Sequence, residues 1–434
     1  MFVSLLTYRL ISSSLIYPLI MSFLASSTRS YVGFWLTGRV PIVDSDERMR
    51  DRERTRRSPL RLTSTMVSSK GAALSLGVVV VAAKVIPSAL AAPAAPAQQP
   101  FTPAGGLGTN STPPVYAPLS DFDFQSLNLA LNQEYIELDL FHYGLAKFPV
   151  EEFEAAGLDA EDRFLIEYMA DQEIGHAIAL SNILGSNAAK ACNYTYPFND
   201  VRGFVDFCQK LTRWGESGVY GFLEHLDSRP SAQILLQSIT VEARQQLIFR
   251  QFEGLFPMPE WHIPGITQSM TWTLLAPWIT HCPQENPRIE WQNFPALNIT
   301  NNPAPYKDSN LTAAISSNVS ALSSPGQELT LTWEEPGKTV GYDGLYTTNT
   351  TAGEPKFVAW ISQLNTTYTP LTNISGSSGK TTQPGGTIWG GNTAPLVNST
   401  MFVLVTDEDV FVTAANISML NAHVVAGPTA YQSG

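Results

Sequence analysis

The sequence predicts a multidomain chain: an all-α four-helix bundle followed by a small all-β sandwich-like domain. Three observations carry this. Apolar residues recur at helical spacing through residues 122–285, with breaks at "KFPVEEFEAAGLDAED", "GSNAAKACNYTYPFND" and "DSRPS". Over about 318–425 the composition changes to β-branched and aromatic runs, "ELTLTW", "KFVAWISQ", "TMFVLVTDED" and "VFVTAANIS", separated by Gly, Pro and Asn turns. Between the two, residues 286–317 are rich in Pro and Asn without periodicity and read as a linker. A chain of 434 residues with 44% hydrophobic content can fill cores for two or three such domains.

At the N-terminus two start points compete. If Met1 is the start, "MFVSLLTYRLISSSLIYPLIMSFLA" is an anchor-like or targeting segment before an Arg-rich run. If Met66 is the start, residues 66–92 have a short basic region, an apolar stretch and small residues at Ala89, Ala91 and Ala92, the layout of a secretory signal peptide. The second reading is preferred, and residues 1–65 are then an over-extended gene model or a disordered leader. Residues 93–121, rich in Pro, Gly, Ala and Thr, read as a linker.

Charge divides along the same boundary. The formal charge is −12, but residues 1–65 carry ten Arg against five acids, and 14 basic against 33 acidic residues remain after residue 92. Such an acidic body, with no basic patch, is not a nucleic-acid binder. Ten N-x-S/T sequons, at Asn110, Asn193, Asn298, Asn310, Asn318, Asn349, Asn365, Asn373, Asn398 and Asn416, suit a secreted glycoprotein. No apolar tail follows Val425, so no stable membrane anchor is expected in the mature chain. Three cysteines allow one disulfide and one free thiol. Cys192 and Cys282 lie in loop-like contexts and are expected to pair, whereas Cys208, among Phe204, Phe207 and Leu211, reads as core.

The four helices are expected at about 125–147, 161–185, 201–227 and 231–254. Asn199 or Asp200 can cap the third, and Pro230 suits the first turn of the fourth. Residues 264–280 form a short fifth. On the second helix Leu165, Met169, Glu173, His176, Leu180 and Ile183 share one face, so a carboxylate and an imidazole lie on the core stripe. A buried carboxylate must protonate, find partners or bind a cation. Helix one offers Glu134 at the centre of a stripe from Leu127 to Leu145, with Glu137 at its solvated edge. Helix four offers Glu242 and Gln245 at the spacing of Glu173 and His176. Helix three offers Glu216 at a stripe margin.

One Glu from each of two helices, and Glu-x-x-His or Glu-x-x-Gln from the other two, is the ligand arrangement of ferritin-like bundles. Residues 122–285 resemble the ferritin-like domain of secreted stress and desiccation proteins. "LNLALNQEYIELDLFHYGL" and "VEARQQLIFRQFEG" carry much of the likeness. The longer run from "GESGVYGFLEHL" to "CPQENPRIEWQNFPAL" resembles a fungal branch described as stress-response or late-sexual-development proteins. That resemblance implies a ferritin-like fold, secretion and expression under stress or in sexual development, but no established reaction. It puts metal positions on Glu134, Glu173, His176, Glu216 and Glu242. The departure is Gln245, where many relatives have His: one site (Glu134, Glu173, His176) is complete, while the other (Glu173, Glu216, Glu242, Gln245) lacks its nitrogen donor.

Two functions follow as expectations. In one, iron or manganese, as one or two ions on mixed oxygen and nitrogen ligands, reacts with oxygen or peroxide or is sequestered outside the cell. In the other, a non-catalytic cell-wall or matrix glycoprotein keeps the bundle as scaffold, with Arg244 paired to Glu242 and the β-domain or an aromatic patch meeting cell-wall glycan. The sequence shows no nucleophile elbow, catalytic Cys/His pair or phosphate loop, and whether the protein is an enzyme stays open.

Overall fold

The computed structural model describes residues 114–308, 312–314, 320–385 and 400–434. The expected leader, the signal peptide and the sequons at Asn110, Asn310, Asn318 and Asn398 lie outside the described residues.

Four long helices form first. Helix α1 (Asp121–Lys147) starts where the Ser120 hydroxyl accepts the Asp123 amide, with Asp121 and Asp123 in its first turn and Lys147 in its last. A short α2 (Val150–Ala155) occupies the first expected break. Helix α3 (Ala160–Leu184) opens on a capping box between Asp159 and Asp162. Asp200 caps α4 (Val201–Phe222), and Pro230 sits in the first turn of α5 (Arg229–Phe252). Helix α1 packs on α3 and α4, and α5 packs on the same two, so the four contacts close a ring. The short α6 (Gln268–Leu275), capped by Thr267, lies against α4 and α1.

Helix α4 is buried nearly all round, unlike α3, because α1, α5 and α6 enclose it. Its glycines permit this. A Cβ at Gly221 would stand 1.8 Å from the Ile266 carbonyl oxygen, so the chain before α6 touches the α4 backbone directly. The stripe expected on α5 is buried, and that on α1 is buried except at Leu138 and Leu145, which are half-buried. On α3, Leu165 is exposed and Ile166, Ala170 and Ala177 are buried, a shift of the buried face by a fraction of a turn.

The second half of the described chain is β-rich and antiparallel. Strands β1 (Asn193–Tyr194) and β2 (Ile279–His281) form a ribbon, and beside it Cys192 and Cys282 are bonded, closing 90 residues of sequence. Cys208 is a buried free thiol. A three-stranded sheet runs β3–β4–β9 (Leu297–Ile299, Glu328–Trp333, Ser378–Thr382). A small ribbon pairs β5 (Thr339–Val340) with β6 (Tyr346–Thr347). A four-stranded sheet runs β11–β10–β7–β8 (Val424–Gln432, Thr400–Thr406, Phe357–Ser362, Asn365–Pro370).

The boundaries differ from the expectation in three places. Strand β3 lies inside the expected linker, recruited by pairing Leu297 with Trp333. "VFVTAANIS" forms no strand: a second capping box, between Thr413 and Asn416, starts a 3₁₀ stretch at Ala414–His423. Strand β11 then runs past residue 425 and pairs along β10.

The alternation of β7 and β10 places their side chains in two cores. Val358, Trp360, Met401, Val403 and Val405 meet Leu329 and Leu331 of the three-stranded sheet. Ala359, Ile361, Phe402 and Leu404 join the core that contains Phe141, Phe204, Met270 and Trp272 of the helices. The helical and β regions therefore share one continuous apolar core.

Candidate metal centre

The site lies inside the ring of helices. Ligand-type atoms of Glu134 from α1, Glu173 and His176 from α3 and Glu242 from α5 all lie within 4.8 Å of one another. Glu134, Glu173 and Glu242 are buried to within 1% of completely, while His176 keeps some exposure on the α3 side. The i, i+3 spacing puts His176 Nδ1 at 3.0 Å from Glu173 Oε2, and the packing of α1 on α3 brings it to 3.2 Å from Glu134 Oε2. From α5, Gln245 Nε2 donates to Glu173 Oε1 at 2.5 Å and to Gln172 Oε1 at 3.2 Å. Gln245 thus acts as a donor to a carboxylate.

Burial governs the electrostatics. Removal from water pushes the Glu134 carboxyl up to about 8 against the pull of His176. It drives Glu242 well above the carboxylate range, helped by the charges of Glu137, Glu134, Glu173 and Glu216. Burial alone would lower the His176 imidazole, but the hydrogen bonds and charges of Glu134 and Glu173 outweigh it and hold it at about 11. Without a metal, the His176 imidazolium is therefore the cation shared by the Glu134 and Glu173 carboxyl groups.

Of the sequence-derived ligands, Glu134, Glu173, His176 and Glu242 come together, with Gln245 beside them. Glu216 stands apart. Its Oε2 pairs at 3.2 Å with Arg213 one turn back on α4, and Arg213 also meets Glu260 at 3.2 Å. Burial raises Glu216 to about 7 despite Arg213. Arg213 is 1% exposed. Sequence reasoning missed it, although Arg213 and Glu216 are spaced i, i+3 in "TRWGES". The pairing considered for Glu242, with Arg244, does not form: Arg244 faces solvent.

Glu137 was also misjudged. It is 0% exposed rather than a solvated edge, because α4 covers that side of α1. Oε2 of Glu242 has no hydrogen-bond partner, while the Thr212 and Gln133 side chains ease the buried Glu137 carboxyl. Unpartnered buried carboxylates are costly, and this donor set of hard oxygens with one imidazole is what an iron or manganese ion would satisfy.

A cavity of about 1050 Å³ opens where α4 and α5 meet the β-rich region, with Tyr220, Leu223, Leu236, Ile263, Leu364 and Phe411 in its lining. Tyr220 lies one turn beyond Glu216, and burial together with the Glu216 and Glu242 charges raises its hydroxyl. It lines this cavity, and the charges of Glu216 and Glu242 reach it. Of the described sequons, Asn193, Asn298, Asn349 and Asn373 are exposed and Asn365 and Asn416 are half-buried. Among the described residues no helix is long and apolar enough to cross a membrane.

Residues 122–255 match the family model of the ferritin-like domain. The chain is also similar to Protein rds1 of Schizosaccharomyces pombe (strain 972 / ATCC 24843). The two are 52% identical over 347 residues, which span 77% of this chain and 86% of that protein.

Proposed function

From the premise that this chain belongs to the family of Protein rds1 and carries a ferritin-like domain, we propose that it is a secreted metal-binding protein. Its helical ring is a four-helix bundle holding iron or manganese. The observation that carries this reading is the buried convergence of Glu134, Glu173, His176 and Glu242 within 4.8 Å.

A bound ion would supply Lewis acidity and, for iron or manganese, redox chemistry with oxygen or peroxide. The chain's residues prepare for it in distinct ways. Glu134, Glu173 and Glu242 present hard oxygens that neutralise a dication, and His176 offers one nitrogen. His176 carries its proton in the metal-free state, so loading releases that proton. Gln245 orients Glu173 through the 2.5 Å hydrogen bond. The enclosed α4 keeps bulk water from the centre, and the cavity beside Tyr220 supports an approach for a small reactant. The role is oxygen or peroxide chemistry or metal sequestration.

Secretion is supported by the layout of residues 66–92, by the Cys192–Cys282 bond and by exposed sequon asparagines. The resemblance to fungal stress-response and late-sexual-development proteins supports a role at those times. The two sheets, sharing a core through Trp360, Val403 and Leu331, are read as a sandwich that meets cell-wall glycan.

The test is elemental analysis of the full chain made through a secretory host, beside a Glu173→Ala/His176→Ala double variant. One or two iron or manganese ions per chain, lost in the variant, is the expected result. A folded wild-type chain that binds neither metal after reconstitution would mean a scaffold glycoprotein instead.

A further inference from the structure

The cavity of about 1050 Å³ has a sequon in its wall. Asn365, followed by Thr366 and Thr367, lines it together with Leu364, Phe411 and Val412, and it alone of the described sequon asparagines does so.

Both parts of this wall are held in place. Asn365 opens β8 and pairs with Ser362 to close a two-residue turn. In that turn Gln363 has φ 52°, and its Oε1 accepts the backbone amides of Trp261 and His262 at 2.8 and 2.9 Å. The hairpin tip is thereby fixed to the segment before α6. Phe411 lies between two anchored neighbours. The Tyr368 hydroxyl donates to the Val410 carbonyl at 2.6 Å, and Val412 belongs to the core shared with the helices. Its neighbours therefore turn Phe411 outward. At 76% exposure it is the most exposed large apolar side chain among the described residues. An apolar ring held in water at an apolar cavity marks a surface that something covers.

Resting on the reading of this chain as a secreted protein, we propose that Asn365 carries an N-linked glycan whose first sugars lie over Phe411 and roof the cavity. In the transfer, Asn365 Nδ2 bonds to C1 of a lipid-pyrophosphate-linked oligosaccharide. The C1–O bond to the pyrophosphate breaks, the amide gives up one proton, and the lipid pyrophosphate leaves. Thr367 completes the acceptor sequence. Attachment precedes folding, so the half-burial of Asn365 is no obstacle, and the cavity gives the sugar room afterwards. The chemistry of the two surfaces matches. One face of a pyranose presents C–H groups, which suit the electron-rich face of a phenylalanine ring. Its hydroxyls find partners in the exposed Arg229 and Gln233 of the lining. The covalent tether holds the sugar at an effective concentration on the order of millimolar, so a weak contact is enough to seat it. A free charged ligand is a poorer occupant, because Glu224 and Arg229 put both signs of charge in the same wall.

The experiment uses the full chain from a secretory host and reads glycan occupancy at each sequon by peptide mass spectrometry. Wild type is compared with Asn365→Gln, Thr367→Ala and Phe411→Ser. Asn365 is expected to be occupied. A peptide-N-glycosidase acting on the folded protein should release its glycan at least tenfold more slowly than those at the exposed Asn349 and Asn373. Phe411→Ser should keep the glycan and lose that protection. Asn365→Gln and Thr367→Ala should both bind the dye 8-anilinonaphthalene-1-sulfonate several-fold more strongly and melt about 2–4 °C lower. An unoccupied Asn365 in a chain glycosylated at Asn349 or Asn373 overturns the proposal and leaves secretion standing. So does a glycan at Asn365 that is released as fast as the others, with dye binding unchanged on its removal. A chain from that host without glycan at any sequon fails the secretion reading first, and this proposal with it.

Discussion

Removing the His176 imidazole would leave Glu134 and Glu173 facing each other with no cation between them. The two contacts at 3.0 and 3.2 Å are made in a largely dry site, so they are not the weak surface pairs that salt screens away. We expect His176→Ala to lower the stability of the chelated protein by about 3 kcal/mol, the order seen when one partner of a buried pair is removed. Urea denaturation in chelator measures this, and a change under about 0.5 kcal/mol would show that the carboxyls are already neutral there. At this scale the sequence was informative where helical spacing decides the outcome: Glu134, Glu173, His176 and Glu242 lie on inward stripes because the backbone puts them there. It was misleading for Glu137 and Glu216, whose fates depend on α4 and on Arg213.

At the scale of elements, α4 is the helix that the rest of the fold is built around. Its amphipathic stripe predicted a helix with one apolar face, but α6 and the chain before it cover the other side. The contact is backbone on backbone at Gly221, where any Cβ would overlap the Ile266 carbonyl. Gly221→Ala should therefore cost about 3 kcal/mol through forced displacement of that segment. Thermal melting should show the loss. A variant as stable as wild type would mean that the 265–266 segment moves aside freely. The 3₁₀ stretch at Ala414–His423 shows the same limit of pattern reading. "VFVTAANIS" has strand composition, yet a cap formed by Thr413 and Asn416 outweighs propensity.

For the whole molecule, the buried acids set a pH dependence. Glu134 rises to about 8, Glu216 to about 7 and Glu253 to about 8, each from an ordinary value of 4.5, and in each case burial is the largest cause. The folded chain therefore binds more protons than the unfolded chain between pH 4.5 and 8, and stability falls as pH rises through that window. His176, raised from 6.5 to about 11, acts in the same direction: its contribution is complete below pH 6.5 and is lost as pH rises through 11. The metal-free protein should be most stable near pH 5 and melt at progressively lower temperature toward pH 8. Added iron or manganese should raise the melting temperature more at pH 8 than at pH 5, because protons no longer compete for the carboxylates. Melting curves with chelator and with metal at both pH values test this, and a chelated protein more stable at pH 8 would contradict it.

The sequence by itself determined the helical region, the β-rich region and the inward placement of four acid and imidazole groups. These follow from local periodicity, capping and spacing, which act within a few residues along the chain. Only the tertiary structure decided that both regions share one core, that strand β3 lies in an apparent linker, that Arg213 claims Glu216 and that Glu137 is fully buried. Each of these depends on which element covers which face. Sequence period shows that a face is apolar, but the partner that removes a given carboxylate from water is chosen by contacts between segments far apart in the chain.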